Sequence, residues 1–197
     1  MKVLLVNPNR VQPPVAPLAL DYLGAALQTR GIGIEVADLC VDGSSGSAVR
    51  ERTWEAFDVG NPDAVLLTLR NIDDAYYFSQ ASFLPDIRVL VQGLREAYGK
   101  PIIVGGCGFS NAPEEILAFL GADLGIAGAQ ETDLLHLLAS LDDAGAYPGI
   151  PGLVWREGDG LRSNPPSPPK MDEDFFSPRR TVQNLGYFQA GGMVGLE

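Results

Sequence analysis

Arg70 stands where a side chain can do chemistry. It follows an apolar run at 64–69, and Asn71, Asp73 and Asp74 come directly behind it (LLTLRNIDDA). A short apolar run of this kind reads as a buried strand. The sequence therefore sets a permanently charged guanidinium at a strand end. Two readings compete. The guanidinium faces a ligand, or it pairs with Asp73 or Asp74 in a surface ion pair worth about 0–1 kcal/mol. Three more segments have chemical potential: NPNRVQPPVAP from Asn7 to Pro17, GGCGFS from Gly105 to Ser110, and GAQET from Gly128 to Thr132. Glycine pairs let a ligand approach the backbone because no Cβ intervenes; the plain alternative is a tight turn. The only histidine, His136, sits among Leu134, Leu135, Leu137 and Leu138, which reads as a helix position.

The elements that must position these residues alternate. Residues 2–6 (KVLLV), 34–39, 64–69, 101–104 (PIIV) and 123–127 read as strands. Residues 16–30 carry Leu18, Leu20, Leu23, Ala26 and Leu27 at helical spacing, and 85–98 carry Ile87, Leu90, Val91 and Leu94 on one face. Helices are also expected at 48–57, 112–120 and 130–141, the second of these three with Pro113 near its first turn, where a missing N–H costs least. A Gly/Ser loop lies at 43–46, and 72–84 is a looser segment.

Five β-α units predict a doubly wound α/β sheet of five parallel strands, with helices on both faces. In such a sheet ligands bind outside the carboxyl ends of the strands, at the switch in strand order. All four chemically unusual loops fall at those ends. Together they favour a large planar or extended ligand. After Pro148 the character changes: GLVWREGDGLRS reads as a β-hairpin, and NPPSPPKMDEDFFSPRR as an extended linker. The expected organisation is a ligand-binding domain at 1–147, a hairpin appendage at 148–164 and a Pro-rich linker at 165–197. The last stretch, NLGYFQAGGMVGLE, shows no closing structure of its own.

Composition narrows the ligand. The chain has 197 residues, 46% of them hydrophobic, and a net charge of −11. Phosphates of nucleic acid and anionic membrane surfaces would be repelled. No apolar run approaches the ~18–20 residues that cross a bilayer. A cytoplasmic protein is expected. Cys40 and Cys107 are too few for a disulfide framework or a cysteine-bound cluster. No G-x-G-x-x-G follows the first strand and no phosphate-loop motif occurs. The first strand ends in Asn7 and the third leads to Arg70, so the acidic pocket of a phosphoryl-accepting receiver is lacking too.

The pattern resembles the N-terminal cobalamin-binding domain of cobalamin-dependent radical S-adenosylmethionine enzymes. The resemblance rests on LLVNPNRVQPP, LLTLRNIDD, IIVGGCGFSNAPEEIL and GIAGAQET, the last a variant of a G-x-G-E turn. It covers essentially the whole chain, and within the family the arginine segment looks most like tryptophan C2-methyltransferases. YFQAGGMVGLE resembles the stretch before a C-x-x-x-C-x-x-C cluster motif, which this sequence does not contain. Many cobalamin domains carry D-x-H-x-x-G after the first strand; here that loop has no histidine. The resemblance thus implies cobalamin held base-off with no protein ligand on cobalt.

Roles follow by resemblance. Arg70 lies beneath the corrin, near cobalt without coordinating it. The loop of Asn7 and Pro14, the third-strand end Thr68, Leu69, Asn71 and Asp73, and the glycine turn Gly105, Gly106, Cys107, Gly108, Phe109 and Ser110 bind the cofactor, with Gly128 and Glu131 completing the set. Gly105 and Gly106 frame the cleft for the nucleotide tail. Thr68 lies near that tail or is ordinary β-branched filler. Asn71 bonds corrin amides or caps its turn. Phe109 and Ser110 line the tail pocket, or Ser110 is an N-cap. Glu131 touches ribose hydroxyls or favours a helix N-terminus. Cys107 is a small loop residue. Tyr76, Tyr77 and Phe78 pack on corrin edges or, by default, in the core. No protein metal ligand is expected.

The implied function is cobalamin binding for a radical methyltransferase that methylates an unactivated carbon. In the intact protein a radical S-adenosylmethionine domain with a [4Fe-4S] cluster would follow and supply S-adenosylmethionine chemistry; this chain alone would bind without turnover. The alternatives are a non-methylating oxidative cyclase of the same class, or a flavodoxin-like FMN or interaction module.

Overall fold

The structure is a computed structural model and describes residues 1–40, 61–128, 131–168, 185–189 and 191–192. The loop expected at 43–46, the helix expected at 48–57 and most of the linker lie outside the described residues. In chain order the elements are β1 (Lys2–Asn7), α1 (Leu18–Thr29), β2 (Gly33–Asp38), β3 (Ala64–Thr68), α2 (Leu84–Tyr98), β4 (Ile102–Gly105), α3 (Pro113–Leu120), β5 (Leu124–Ile126), α4 (Glu131–Ala139), β6 (Leu153–Glu157), β7 (Gly160–Ser163) and α5 (Leu185–Gln189). Two 3-10 turns, Phe109–Asn111 and Ala144–Gly149, precede α3 and β6.

The strands form one sheet in the order β2-β1-β3-β4-β5-β6-β7. The first five are parallel, as expected, with Val3 opposite Ala64 and Val65 opposite Ile102. The hairpin β6–β7 adds antiparallel to β5, Gly125 facing Val154, and so extends the sheet. The loop behind it is tied down: Asn164 Nδ2 donates to the carbonyls of Tyr147 and Ile150, each at 2.7 Å.

Alternation along each strand builds two cores. Leu4, Val6, Val65, Leu67, Ile102 and Val104 face Ile87, Leu90, Val91 and Leu94 of α2 and Ile116, Leu117 and Leu120 of α3. Val3, Leu5, Ala64, Leu66 and Ile103 face Leu20, Ala26 and Leu27 of α1 and four leucines of α4. Helices α2 and α3 each carry proline in the first turn and stop at a left-handed glycine, Gly99 and Gly121. That is the asymmetry expected of well-terminated helices. Among the described residues no helix is long and apolar enough to cross a membrane.

The last segment departs from the expectation of no closing structure. Helix α5 folds back, and Tyr187 is wholly buried against Ala16 and Cys40. Its partners lie near the start of the chain, so local composition gave no sign of them.

Phe109 fills the core above β5. A methyl group at Gly125 would overlap its ring. Gly125→Ala is expected to lower stability by about 1–3 kcal/mol through overpacking. Gly149→Ala, whose added methyl meets nothing within 4 Å, should change it by less than about 0.5 kcal/mol. Urea unfolding of the two variants checks the contrast.

Candidate functional site

Strand order reverses between β1 and β3: the chain moves from β1 outward to β2, then returns to β3 on the other side. The loops leaving β1 and β3 must diverge there and open a crevice. A cleft of about 390 Å³ lies at that point, lined by Asn7 and Asn9, by residues 15–19, and by Thr68, Arg70, Gly106 and Cys107. Its size falls within the range of small-molecule sites.

The β1 wall is polar and internally bonded. Asn7 ends β1 and is 1% exposed. Its Nδ2 donates to Asp38 Oδ1 at 2.8 Å, and its Oδ1 accepts the Asn9 N–H at 3.3 Å. Asn9 Oδ1 in turn accepts the Val11 N–H at 3.4 Å. The loop then climbs to Val15, Ala16 and Pro17, which with Leu18 and Ala19 give the cleft its apolar side. Leu18 and Ala19 belong to the first turn of α1, which has no side-chain cap.

The β3 wall is set by backbone contacts. The Leu69 N–H donates to the Gly105 carbonyl, and the Gly108 N–H donates to the Leu69 carbonyl, both at 2.8 Å. Gly106 has φ +99, and a Cβ there would lie 2.6 Å from the Leu69 carbonyl oxygen; one on Gly108 would lie 2.9 Å from it. Neither position can carry a side chain without moving the chain. The glycines expected to admit a ligand here also admit the neighbouring strand end. Pinned in this way, Leu69 points into the core and Arg70 points out, exposed, into the cleft rim. Cys107 Sγ donates to the Arg70 carbonyl at 3.2 Å.

The ion-pair reading of Arg70 can be checked directly. Asp73 Oδ1 accepts the Ala75 N–H at 2.8 Å, and Asp74 accepts the Tyr76 N–H at 3.0 Å and the Ser79 hydroxyl. The Ser79 bond, then the Tyr76 N–H, hold the Asp74 carboxyl below the usual carboxylate range. Both aspartates thus serve their own turn, and among the described residues Arg70 has no ion-pair partner. Asn71, the next residue, holds a buried Oδ1 with no donor among the described residues. Such an acceptor is costly unless something donates to it.

The structure distributes the other expected residues as follows. Asn7, Thr68, Arg70, Gly106 and Cys107 meet in the cleft. Gly105 ends β4, and Pro14 is buried in the first loop without lining the cleft. Ser110 Oγ donates to the Gly106 carbonyl and accepts the Gly128 N–H, each at 3.0 Å, joining the loop after β4 to the loop after β5. Glu131 opens α4. Phe109 is fully buried in the core beneath α2 and α3 rather than in the cleft. Tyr76, Tyr77 and Phe78 are not core residues: they are 68, 82 and 91% exposed, held outward on the turn that Asp73 and Asp74 stabilise. Exposed His136 lies on α4, outside the cleft lining.

Three residues escaped the sequence reading. Asp38, at the end of β2, accepts from Asn7, from the Cys40 N–H at 3.2 Å and from the Tyr187 hydroxyl at 2.6 Å. Burial, then the Asp38 carboxylate, pushes the Cys40 thiol up. Burial and the Asp38 bond push the Tyr187 phenol far above its ordinary value. The only sequence signal for Asp38 was its place at a strand end on the ligand edge.

Comparison with known proteins gives the same picture. No family model matches the chain. It is 31% identical over 172 residues to tryptophan 2-C-methyltransferase of Streptomyces laurentii, covering 86% of this chain and 28% of that relative. The radical S-adenosylmethionine methyltransferase TsrM of Kitasatospora setae, solved with cobalamin and a [4Fe-4S] cluster bound, superposes with a TM-score of 0.81 at 31% identity, over 98% of this chain and 38% of that one. OxsB, a cobalamin-dependent S-adenosylmethionine radical enzyme solved with aqua-cobalamin, shares the fold: TM-score 0.72 at 17% identity, over 99% of this chain and 26% of that one. The chain is therefore a homologue of tryptophan 2-C-methyltransferase that spans under a third of its curated relative's length.

The two thiols should behave oppositely. Cys107 is exposed and Cys40 buried, and a raised pKa keeps Cys40 as the inert thiol at neutral pH. Iodoacetamide at pH 7.5 is expected to label Cys107 alone in the folded chain and both in urea, as read by peptide mass spectrometry.

Proposed function

We propose that this chain is the cobalamin-binding domain of a radical S-adenosylmethionine methyltransferase, and that it holds cobalamin base-off, without a histidine on cobalt. Homology to tryptophan 2-C-methyltransferase supports the class. One observation carries the site: the cleft at the β1/β3 switch has on its rim Arg70, which has no ion-pair partner among the described residues, and has no histidine in its lining. On this reading residues 1–147 hold the cofactor, the hairpin at 148–164 extends their sheet, and 165–197 lead to a radical domain bearing a [4Fe-4S] cluster and S-adenosylmethionine, in a cytoplasmic enzyme.

The residues present suit a large, amide-rich, partly apolar ligand. Asn7, Asn9 and Thr68 supply hydrogen-bonding groups, and residues 15–19 supply apolar surface. Asn71 Oδ1 is a buried acceptor with no donor among the described residues; Gly106 and Cys107 line the cleft, and Gly105, Gly108, Ser110, Gly128 and Glu131 stand in the adjoining rim. When bound, cobalamin supplies a cobalt centre that can accept and release a methyl group. The protein's part is to control what approaches that centre. A guanidinium stays protonated at any ordinary pH and has no lone pair to give. With cobalamin in the cleft, Arg70 would stand beside the metal without ligating it, exclude stronger ligands and add positive charge. Homology alone supports a tryptophan-type methyl acceptor. With two cysteines in the chain and no C-x-x-x-C-x-x-C motif, binding without turnover is expected.

The test is optical. Incubated with hydroxocobalamin and desalted, the 197-residue chain should retain the corrinoid with the spectrum of displaced dimethylbenzimidazole. Arg70→Leu should retain it with a shifted spectrum as water gains access, and Arg70→Lys should shift it less. A chain that emerges colourless, or a spectrum in which Arg70→Leu leaves no mark, would defeat the assignment.

A further inference from the structure

Helix α5 has five residues, too few to be stable alone, yet its Tyr187 is wholly buried. The ring packs on Ala16 and Cys40. The hydroxyl donates to Asp38 Oδ2 at 2.6 Å, across 149 positions of sequence. A hydroxyl bonded to a carboxylate makes a stronger link than one bonded to a neutral carbonyl. Asp38 uses its other oxygen to accept the Asn7 Nδ2 at 2.8 Å.

That contact fixes which way the Asn7 amide points. Flipped, its oxygen would face the Asp38 carboxylate, and its Nδ2 would face the Asn9 N–H that Oδ1 now accepts. The backbone of the same segment closes on the same wall. The Gly192 N–H donates to the Tyr187 carbonyl at 2.7 Å, and a Cβ at Gly192 would overlap the Pro14 carbonyl. Tyr187 and Gly192 thus press on the loop that supplies Asn7, Asn9 and residues 15–19 to the cleft.

We infer that Tyr187 is a positioning residue for the cofactor cleft: its hydroxyl holds Asp38, Asp38 orients the Asn7 amide, and Asn7 meets the ligand. The inference rests on the cobalamin reading above. It makes the segment beyond the hairpin part of the binding apparatus, so that release of Tyr187 loosens the cleft wall.

The experiment compares wild type, Tyr187→Phe, Asp38→Asn and the double variant in the 197-residue chain. Equilibrium titration with hydroxocobalamin gives affinities. Hydrogen exchange without cofactor gives protection of the amides at 7–19. Tyr187→Phe keeps the ring, and should weaken binding by about 5- to 20-fold, the worth of one charge-assisted hydrogen bond. It should also speed exchange at 7–19 while leaving β4 and β5 protected. The double variant should bind no more weakly than Asp38→Asn alone. Wild-type affinity in Tyr187→Phe, or penalties that multiply in the double variant, would overturn the relay. Loss of protection throughout the sheet would make Tyr187 a general stability residue and overturn it too. A wild-type chain that takes up no cobalamin refutes the parent reading instead; unchanged exchange at 7–19 in Tyr187→Phe then refutes the relay on its own terms.

Discussion

The site depends on how closely the turn after β4 approaches the end of β3. Two backbone hydrogen bonds lock Leu69 between Gly105 and Gly108. They form only because Gly106 and Gly108 present no Cβ to the Leu69 carbonyl. With Leu69 locked inward, the next residue must leave the sheet, and that residue is Arg70. Thr68, Gly106 and Cys107 are brought to the cleft by the same junction. These two bonds fix the backbone from which Arg70 projects, and a backbone already ordered lowers the ordering cost of binding.

Charge sharpens the contrast. The chain carries a net charge of −11, yet Arg70 has no carboxylate partner among the described residues, because Asp73 and Asp74 are occupied by their own turn. Acidic groups three and four residues away would ordinarily be expected to neutralise it. Local backbone demand outcompetes them: an amide two residues on is held in reach by the turn itself, whereas an ion pair must immobilise two long, solvated side chains.

Most of the architecture was legible because it is written locally. The central strands β1, β3 and β4 are short apolar runs, and α1 and α2 show their buried faces at helical spacing. Prolines and glycines mark where α2 and α3 start and stop. The ligand edge followed from parallel-sheet geometry, and Asn7, Thr68 and Arg70 follow from their places at strand ends. What stayed hidden was long-range. Phe109 reads as a loop aromatic until Gly125 is seen to make room for it. Tyr76, Tyr77 and Phe78 read as core until the turn that lifts them is known. Nothing near Tyr187 announces Asp38, since one closes the chain and the other ends its second strand.

The hairpin and α5 together separate two kinds of boundary. Strand pairing stops at β7, and a cut drawn there would look natural on a topology diagram. Yet Tyr187 buttresses the opposite end of the sheet, at the first loop. Severing the polypeptide at its last strand would remove masonry from a wall built by its opening residues. Distance along the chain is therefore no guide to distance in space: Tyr187 and Gly192, late in the sequence, stand beside the loop that walls the cleft.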